Sequence, residues 1–152
     1  MLPNAEPMLE VMVPATVCTL TTVCMGSAAP FSSTACSMLS SYETDVASAF
    51  GAAPYVIVES YIAAKSCAGS KLANVTVYRA DGRCHKISAS TSYIAIRAAD
   101  KSVTISTYVS ATCTGMAVTT LDVSSAQAFS QSCAAGKDGI LDKKSLWQWC
   151  DE

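Results

Sequence analysis

The stretch LANVTVYRADGRCHKISA, Leu72–Ala89, decides how the chain is read. Its first half alternates Ala73, Val75 and Val77 against Leu72, Asn74, Thr76 and Tyr78, the two-residue period of a strand with one face on a core. Asp81 and Gly82 follow, two residue types that tolerate the positive φ of a type I′ turn, so a hairpin is expected there. RCHKISA then resumes the strand pattern. Upstream, YVIVESYIAA (Tyr55–Ala64) sets Val56, Val58, Ser60 and Ile62 against Tyr55, Ile57, Glu59 and Tyr61. Downstream, TSYIAIRA, SVTISTYV and GMAVTTL continue in the same style, broken by Ala99–Ser102 and by a Thr-Cys-Thr-Gly turn. Short polar breaks between consecutive strands predict an antiparallel meander or sandwich.

Helical spacing is confined to two places. Cys36, Leu39, Val46 and Phe50 fall on one face of a helix expected over about 33–50, with Ser33 or Thr34 as its cap and Gly51 and Pro54 as its end. Ser124–Cys133 reads as a shorter helix with Asp122 as a possible cap, and the tail from Gly136 reads as turn-rich, ending in an amphipathic stub that carries Trp147 and Trp149. The expected class is α+β: mainly antiparallel β-sheet, with one or two covering helices. Residues 1–30, punctuated by Pro3, Pro7, Pro14 and Pro30, form an extended N-terminal arm, and 31–152 form a single domain. The arm's β-prone run MLEVMV suits an edge strand on its own body, or a strand added to a neighbour's sheet.

A chain of 152 residues is long enough to bury a sizeable core. Charged residues make up 14% of it, against about 25% in ordinary soluble domains, and the net charge is -2. No Lys/Arg cluster is available to neutralise phosphates, which sets nucleic acid aside as a partner. So little charge also leaves the surface weakly protected against association.

Eight cysteines stand at positions 18, 24, 36, 67, 84, 113, 133 and 150, with no C-x-x-C pair among them. His85 is the only histidine, so the close ligand pairs of a structural zinc site are missing and disulfides are favoured. That reading places the protein in an oxidising compartment, secreted or at the cell surface. Val11–Ala29 has some look of a signal segment, but Glu6 and Glu10 precede it without a basic region, so it is expected to belong to the mature chain. Pro14 and four threonines argue against its spanning a membrane, which takes about 20 mostly apolar residues.

A local repeat organises the cysteines. Tyr61, Cys67 and Gly69 recur as Tyr108, Cys113 and Gly115, each set followed by a strand pattern and another cysteine, Cys84 and Cys133. Pairing within each unit, Cys67 with Cys84 and Cys113 with Cys133, would close loops worth on the order of 3 kcal/mol apiece. Cys18, Cys24, Cys36 and Cys150 would then bind the arm, first helix and tail to the body. This layout, over about Tyr55–Cys133, resembles the small cysteine-rich secreted and surface proteins of oomycetes and other protists. The resemblance implies an extracellular role in a wall, an appendage or a host interaction, and brings no catalytic residues with it.

No catalytic constellation emerges. His85 adjoins Cys84 but points to the opposite face of a strand, and is expected to be an exposed strand histidine. The carboxylates fall mostly at turns and termini, where turn chemistry accounts for them. KDGILD (Lys137–Asp142) lacks the oxygen-ligand spacing of a calcium loop, and neither metal nor cofactor is expected. Asn74-Val75-Thr76 is a sequon for an N-linked glycan, with Asn74 opposite Val75 and Val77 and therefore accessible. Trp147 and Trp149 suit an interface or sugar stacking. The expected function is that of a non-catalytic extracellular structural protein, a self-assembling subunit of a filament, appendage or surface coat that forms a homo-oligomer or polymer. A secreted monomeric effector or carbohydrate-binding protein is the rival, and a small hydrolase with a hidden cleft is a third.

Overall fold

The computed structural model of the chain describes residues 8–13, 37–38, 40–62, 67, 72–130, 134–135 and 141–147. Its elements are β1 (Leu9–Met12), α1 (Tyr42–Phe50), β2 (Tyr55–Tyr61), β3 (Leu72–Arg79), β4 (Asp81–Lys86), β5 (Ser92–Arg97), β6 (Val103–Tyr108), β7 (Thr119–Val123), α2 (Ser125–Ser130), β8 (Ala134–Ala135) and β9 (Leu141–Trp147). The strands form two antiparallel sheets, one ordered β1-β3-β2-β9-β8 and the other β4-β5-β6-β7. The α+β class read from the alternation is therefore the fold. The second sheet is the simple meander expected, whereas the first brings together strands from both ends of the chain.

Two cores make three layers. Tyr55, Ile57 and Tyr61 of β2 join Leu72, Val75 and Val77 of β3 beneath Tyr42, Val46 and Phe50 of α1. On the opposite face, Val56 and Val58 pack with Tyr93, Ala95, Val103, Ile105 and Val123 of the second sheet and with Ala128 of α2. The first sheet is thus sandwiched between a helix and another sheet, and its central strand β2 is buried on both faces. β1 pairs with β3 of its own chain, from Leu9 opposite Tyr78 to Met12 opposite Val75, so this part of the arm lies on its own body as an edge strand.

Several local expectations change. Leu72 shares a face with Val75 and Val77, because the pairing shifts at Ser60/Tyr61 and leaves Ala73 as an extra residue; such a bulge resets the alternation by one. Asp81-Gly82 does not close a hairpin. The chain passes there from the first sheet to the second through buried Ala80, whose N–H donates to the Pro54 carbonyl at 2.8 Å. Gly82 keeps a positive φ of 76°, but it serves a bulge in β4, between the Asp81–Ile96 and Cys84–Ile94 pairs.

The first helix starts later than its sequence spacing suggests. α1 starts at Tyr42 rather than near 33, since Ser37–Ser41 favours a turn: the hydroxyl of Ser37 donates to the Asp45 carboxylate, with Ser41 Oγ 3.4 Å from the same oxygen. Ser33, Thr34, Cys36 and Leu39 lie outside the described residues. Gly51 ends the helix at φ 55° as expected, its N–H donating to Ala47. α2 is capped by Ser124 and not by Asp122. Ser124 Oγ accepts from the Gln127 N–H at 3.2 Å and Gln127 Oε1 accepts from the Ser124 N–H at 3.0 Å, a reciprocal capping box. The largest change is in the tail, where Leu141–Trp147 is no turn-rich stub but strand β9, fully paired with β2. LDKKSLW carries no clean apolar alternation, so only its place beside β2 makes it a strand.

Candidate functional site

The chemistry-bearing residues gather in the second sheet and at its seam with the first. The disulfide found there joins Cys84 of β4 to Cys113 of the β6–β7 loop, with the sulfurs 2.01 Å and the Cα atoms 5.9 Å apart. This overturns the within-unit pairs Cys67–Cys84 and Cys113–Cys133. The reason is the sheet crossing at Ala80, which separates Cys84 from the end of β2, whereas the β6–β7 loop folds back toward β4. Cys67 is also disulfide-bonded, to a cysteine other than these two, and packs against the first core. Cys18, Cys24, Cys36, Cys133 and Cys150 lie outside the described residues.

A buried hydroxyl holds the stapled loop in place. Ser92, fully buried, donates to the Ser110 carbonyl at 2.6 Å and accepts from the Cys113 N–H at 2.9 Å. Cys113 itself sits at a positive φ of 53°, a conformation that a side chain rarely adopts without such restraint. Sequence reasoning missed Ser92, whose neighbours Thr91 and Tyr93 gave no sign of burial.

At the seam, Asp81 accepts from the Arg83 N–H at 3.0 Å, lies 2.7 Å from His85 Nε2 and is ion-paired with Arg79 Nε at 3.1 Å. Burial pushes its carboxyl up, but the Arg83 N–H, His85 and Arg79 outweigh it and hold the group below the usual carboxylate range. His85 is buried, not exposed, because the inward face of β4 is covered by Tyr93, whose ring centroid lies 5.1 Å from the imidazole. The Tyr93 hydroxyl accepts from the Arg79 N–H at 3.0 Å and donates to the Met8 carbonyl, and its ring meets Tyr78 edge-on. Cys84 being bonded to Cys113, no thiol stands ready beside His85. This cluster welds the start of β1, the end of β3, β4 and β5 into one joint.

A second buried polar group lies under α1. Glu59, 5% exposed, accepts from the Tyr42 hydroxyl and, at 2.7 Å, from the Tyr61 hydroxyl. Burial, then the bond to Glu59, raises the ionisation of both tyrosines well above the usual phenol range. Lys143 is the register partner of Glu59 on β9. Glu59 is therefore no turn carboxylate; it sits in the middle of the central strand, on the face its alternation with Tyr55, Ile57 and Tyr61 already assigned to it.

Asn74 stands opposite Ser60, one position beyond the last β1 pair, on the face away from Val75 and Val77 as expected. That face is partly covered by the second sheet, so Asn74 is half-buried, with the Thr76 hydroxyl 3.5 Å from its Oδ1. Trp147 is the register partner of Tyr55 at the end of β9, and Trp149 lies outside the described residues. Among the described residues no three His, Cys, Asp or Glu side chains cluster as a metal site, and no helix is long and apolar enough to cross a membrane.

The fold and its joints define a disulfide-bonded, three-layered α+β sandwich. The chain matches no family model, no curated protein and no solved structure.

Proposed function

We propose that the protein is a non-catalytic, extracellular structural subunit that assembles with copies of itself. The observation that carries this reading is the exposure of large apolar side chains on a chain only 14% charged: Met116 at 92%, Val109 and Met38 at 70%, and Phe129 at 68%. Apolar groups this open, with few charges to oppose contact, favour association. The Cys84–Cys113 bond supports an oxidising setting, and the chemistry-bearing clusters are spent on internal joints. A glycan on Asn74, half-buried as that residue is, also belongs to this reading.

Light scattering of the native, non-reduced protein, with negative-stain imaging of the same sample, tests it. Regular particles growing with concentration are expected. A monodisperse monomer at every concentration overturns the proposal and favours the monomeric effector or carbohydrate-binding reading, to be followed by a glycan screen.

A further inference from the structure

We infer that β7 is the self-pairing edge of the protein: two copies add their β7 strands to each other, antiparallel about a two-fold axis at Leu121, joining two four-stranded sheets into one continuous sheet. The inference rests on the assembly reading above and names one contact within it, the closed pair of copies from which a larger particle would be built.

The two edges of the second sheet differ in how they are protected. β4 carries Asp81, Arg83 and Lys86 and is broken by the Gly82 bulge, the devices that ordinarily keep a strand edge from pairing. β7, Thr119–Val123, has no proline, glycine, cation or register shift. Its Thr119, Thr120 and Asp122 are exposed. The one charge on it, Asp122, is drawn across its own sheet, where its carboxylate accepts from the Thr104 hydroxyl at 2.7 Å. Among the described residues β7 pairs with β6 alone, and an unprotected edge of β-prone residues offers its outward backbone donors and acceptors to another strand.

The sequence of the edge selects a second copy as that strand. Centred on Leu121, antiparallel pairing sets Thr119 opposite Val123 and Thr120 opposite Asp122 of the other copy. β-branched residues then face each other, and a hydroxyl faces a carboxylate. A parallel in-register pair would instead set Asp122 beside Asp122, with like charges adjacent. The apolar residues flanking the strand complement one another in the same arrangement. Met116 and Val118, 92% and 57% exposed, precede β7, and Phe129, 68% exposed, follows it on α2. An antiparallel two-fold brings the leading end of each strand to the trailing end of its mate, so Met116 and Val118 of one copy approach Phe129 of the other. The contact is isologous and closes on itself.

The test compares wild type with Thr120→Lys, Val118→Lys and Leu121→Cys, all as the full chain, by sedimentation velocity over a concentration series. Circular dichroism and melting monitor the fold. Wild type should associate, and each lysine variant should raise the midpoint concentration by about tenfold or more with the fold unchanged. Leu121→Cys should give, after mild oxidation, a covalent dimer whose mapped peptides are bridged at position 121. If wild type associates, the lysine variants associate equally well and no bridge forms at 121, the β7 inference is overturned while the assembly reading stands. If wild type is monomeric throughout, both fall. Should a lysine variant fail to fold, the bridging result decides alone, since it needs no charge at the edge.

Discussion

Ser92 shows how one side chain acts beyond its own strand. Its hydroxyl is the partner of both the Ser110 carbonyl and the Cys113 N–H, so Ser92→Ala takes the buried partner from two backbone groups of a half-buried loop. The substitution is expected to cost about 2 kcal/mol in a urea melt, with the disulfide still formed by mass. Glu10 is the opposite case. Burial first, then the nearby Asp45, raises its carboxyl above the usual range, and its Oε2 finds no hydrogen-bond donor among the described residues. A raised carboxyl contributes fully below its unfolded value, and the contribution is lost as pH climbs through the folded value. Glu10→Gln should therefore stabilise the fold by about 0.5 kcal/mol at pH 7 and leave it unchanged near pH 3.5, as paired denaturation curves will show. Of these side chains, Glu59 was legible from its place in the alternation. Ser92 was not, because its partners come from a loop 18 to 21 residues away.

At the level of elements, β2 and β3 lie where their alternation placed them, although a bulge turns Leu72 to the other face, and β9 was missed. β2 and β3 announce themselves because one set of alternate residues is apolar or aromatic, and β9 does not, because Asp142, Lys143, Lys144 and Ser145 dominate it. The turn at Ala99–Ser102 is real and follows from Asp100, whose carboxylate accepts from the Ser102 N–H at 3.0 Å and its hydroxyl at 2.7 Å. The staple belongs to this scale as well. Cys84 and Cys113 lie 29 residues apart, and a crosslink of that span is worth on the order of 3 kcal/mol in the chain-entropy account. The double variant Cys84→Ser/Cys113→Ser should accordingly melt about 6–12 °C lower than wild type by calorimetry. Within-unit pairing would lose two bridges in this variant and leave Cys67 and Cys133 as new free thiols, whereas the Cys84–Cys113 bond predicts no new free thiol, so a thiol count on the variant separates the two.

The three-layer packing gives the whole molecule a characteristic response to alkali. Tyr42, Tyr55, Tyr61, Tyr78 and Tyr93 all have ionisation raised above the usual range, foremost by burial. In the unfolded chain these phenols lose their protons near pH 10, whereas the folded chain retains them. Stability is thus full below about pH 10 and declines above it, as unfolding comes to release protons. Denaturation midpoints should hold steady from pH 7 to 9 and fall steeply beyond 10. Absorbance at 295 nm should show most of the tyrosine ionisation arriving with unfolding and not before it. Tyr42→Phe should soften that fall, since it removes one of the retained protons.

What the sequence determined by itself is the class of the fold, because a period of two with apolar residues on one side is a local property that survives in any arrangement of the strands. It also determined the broad cysteine chemistry, through an even count without metal-ligand spacing. The tertiary structure alone decided which strands are neighbours, that the chain changes sheets at Ala80 rather than turning back at Gly82, and that Cys84 reaches Cys113. It decided as well that β9 lies beside β2 and that β7 is left at an edge. Those outcomes depend on contacts between residues far apart in the chain, whose free energy comes from burial shared among several elements, and no single stretch carries that information.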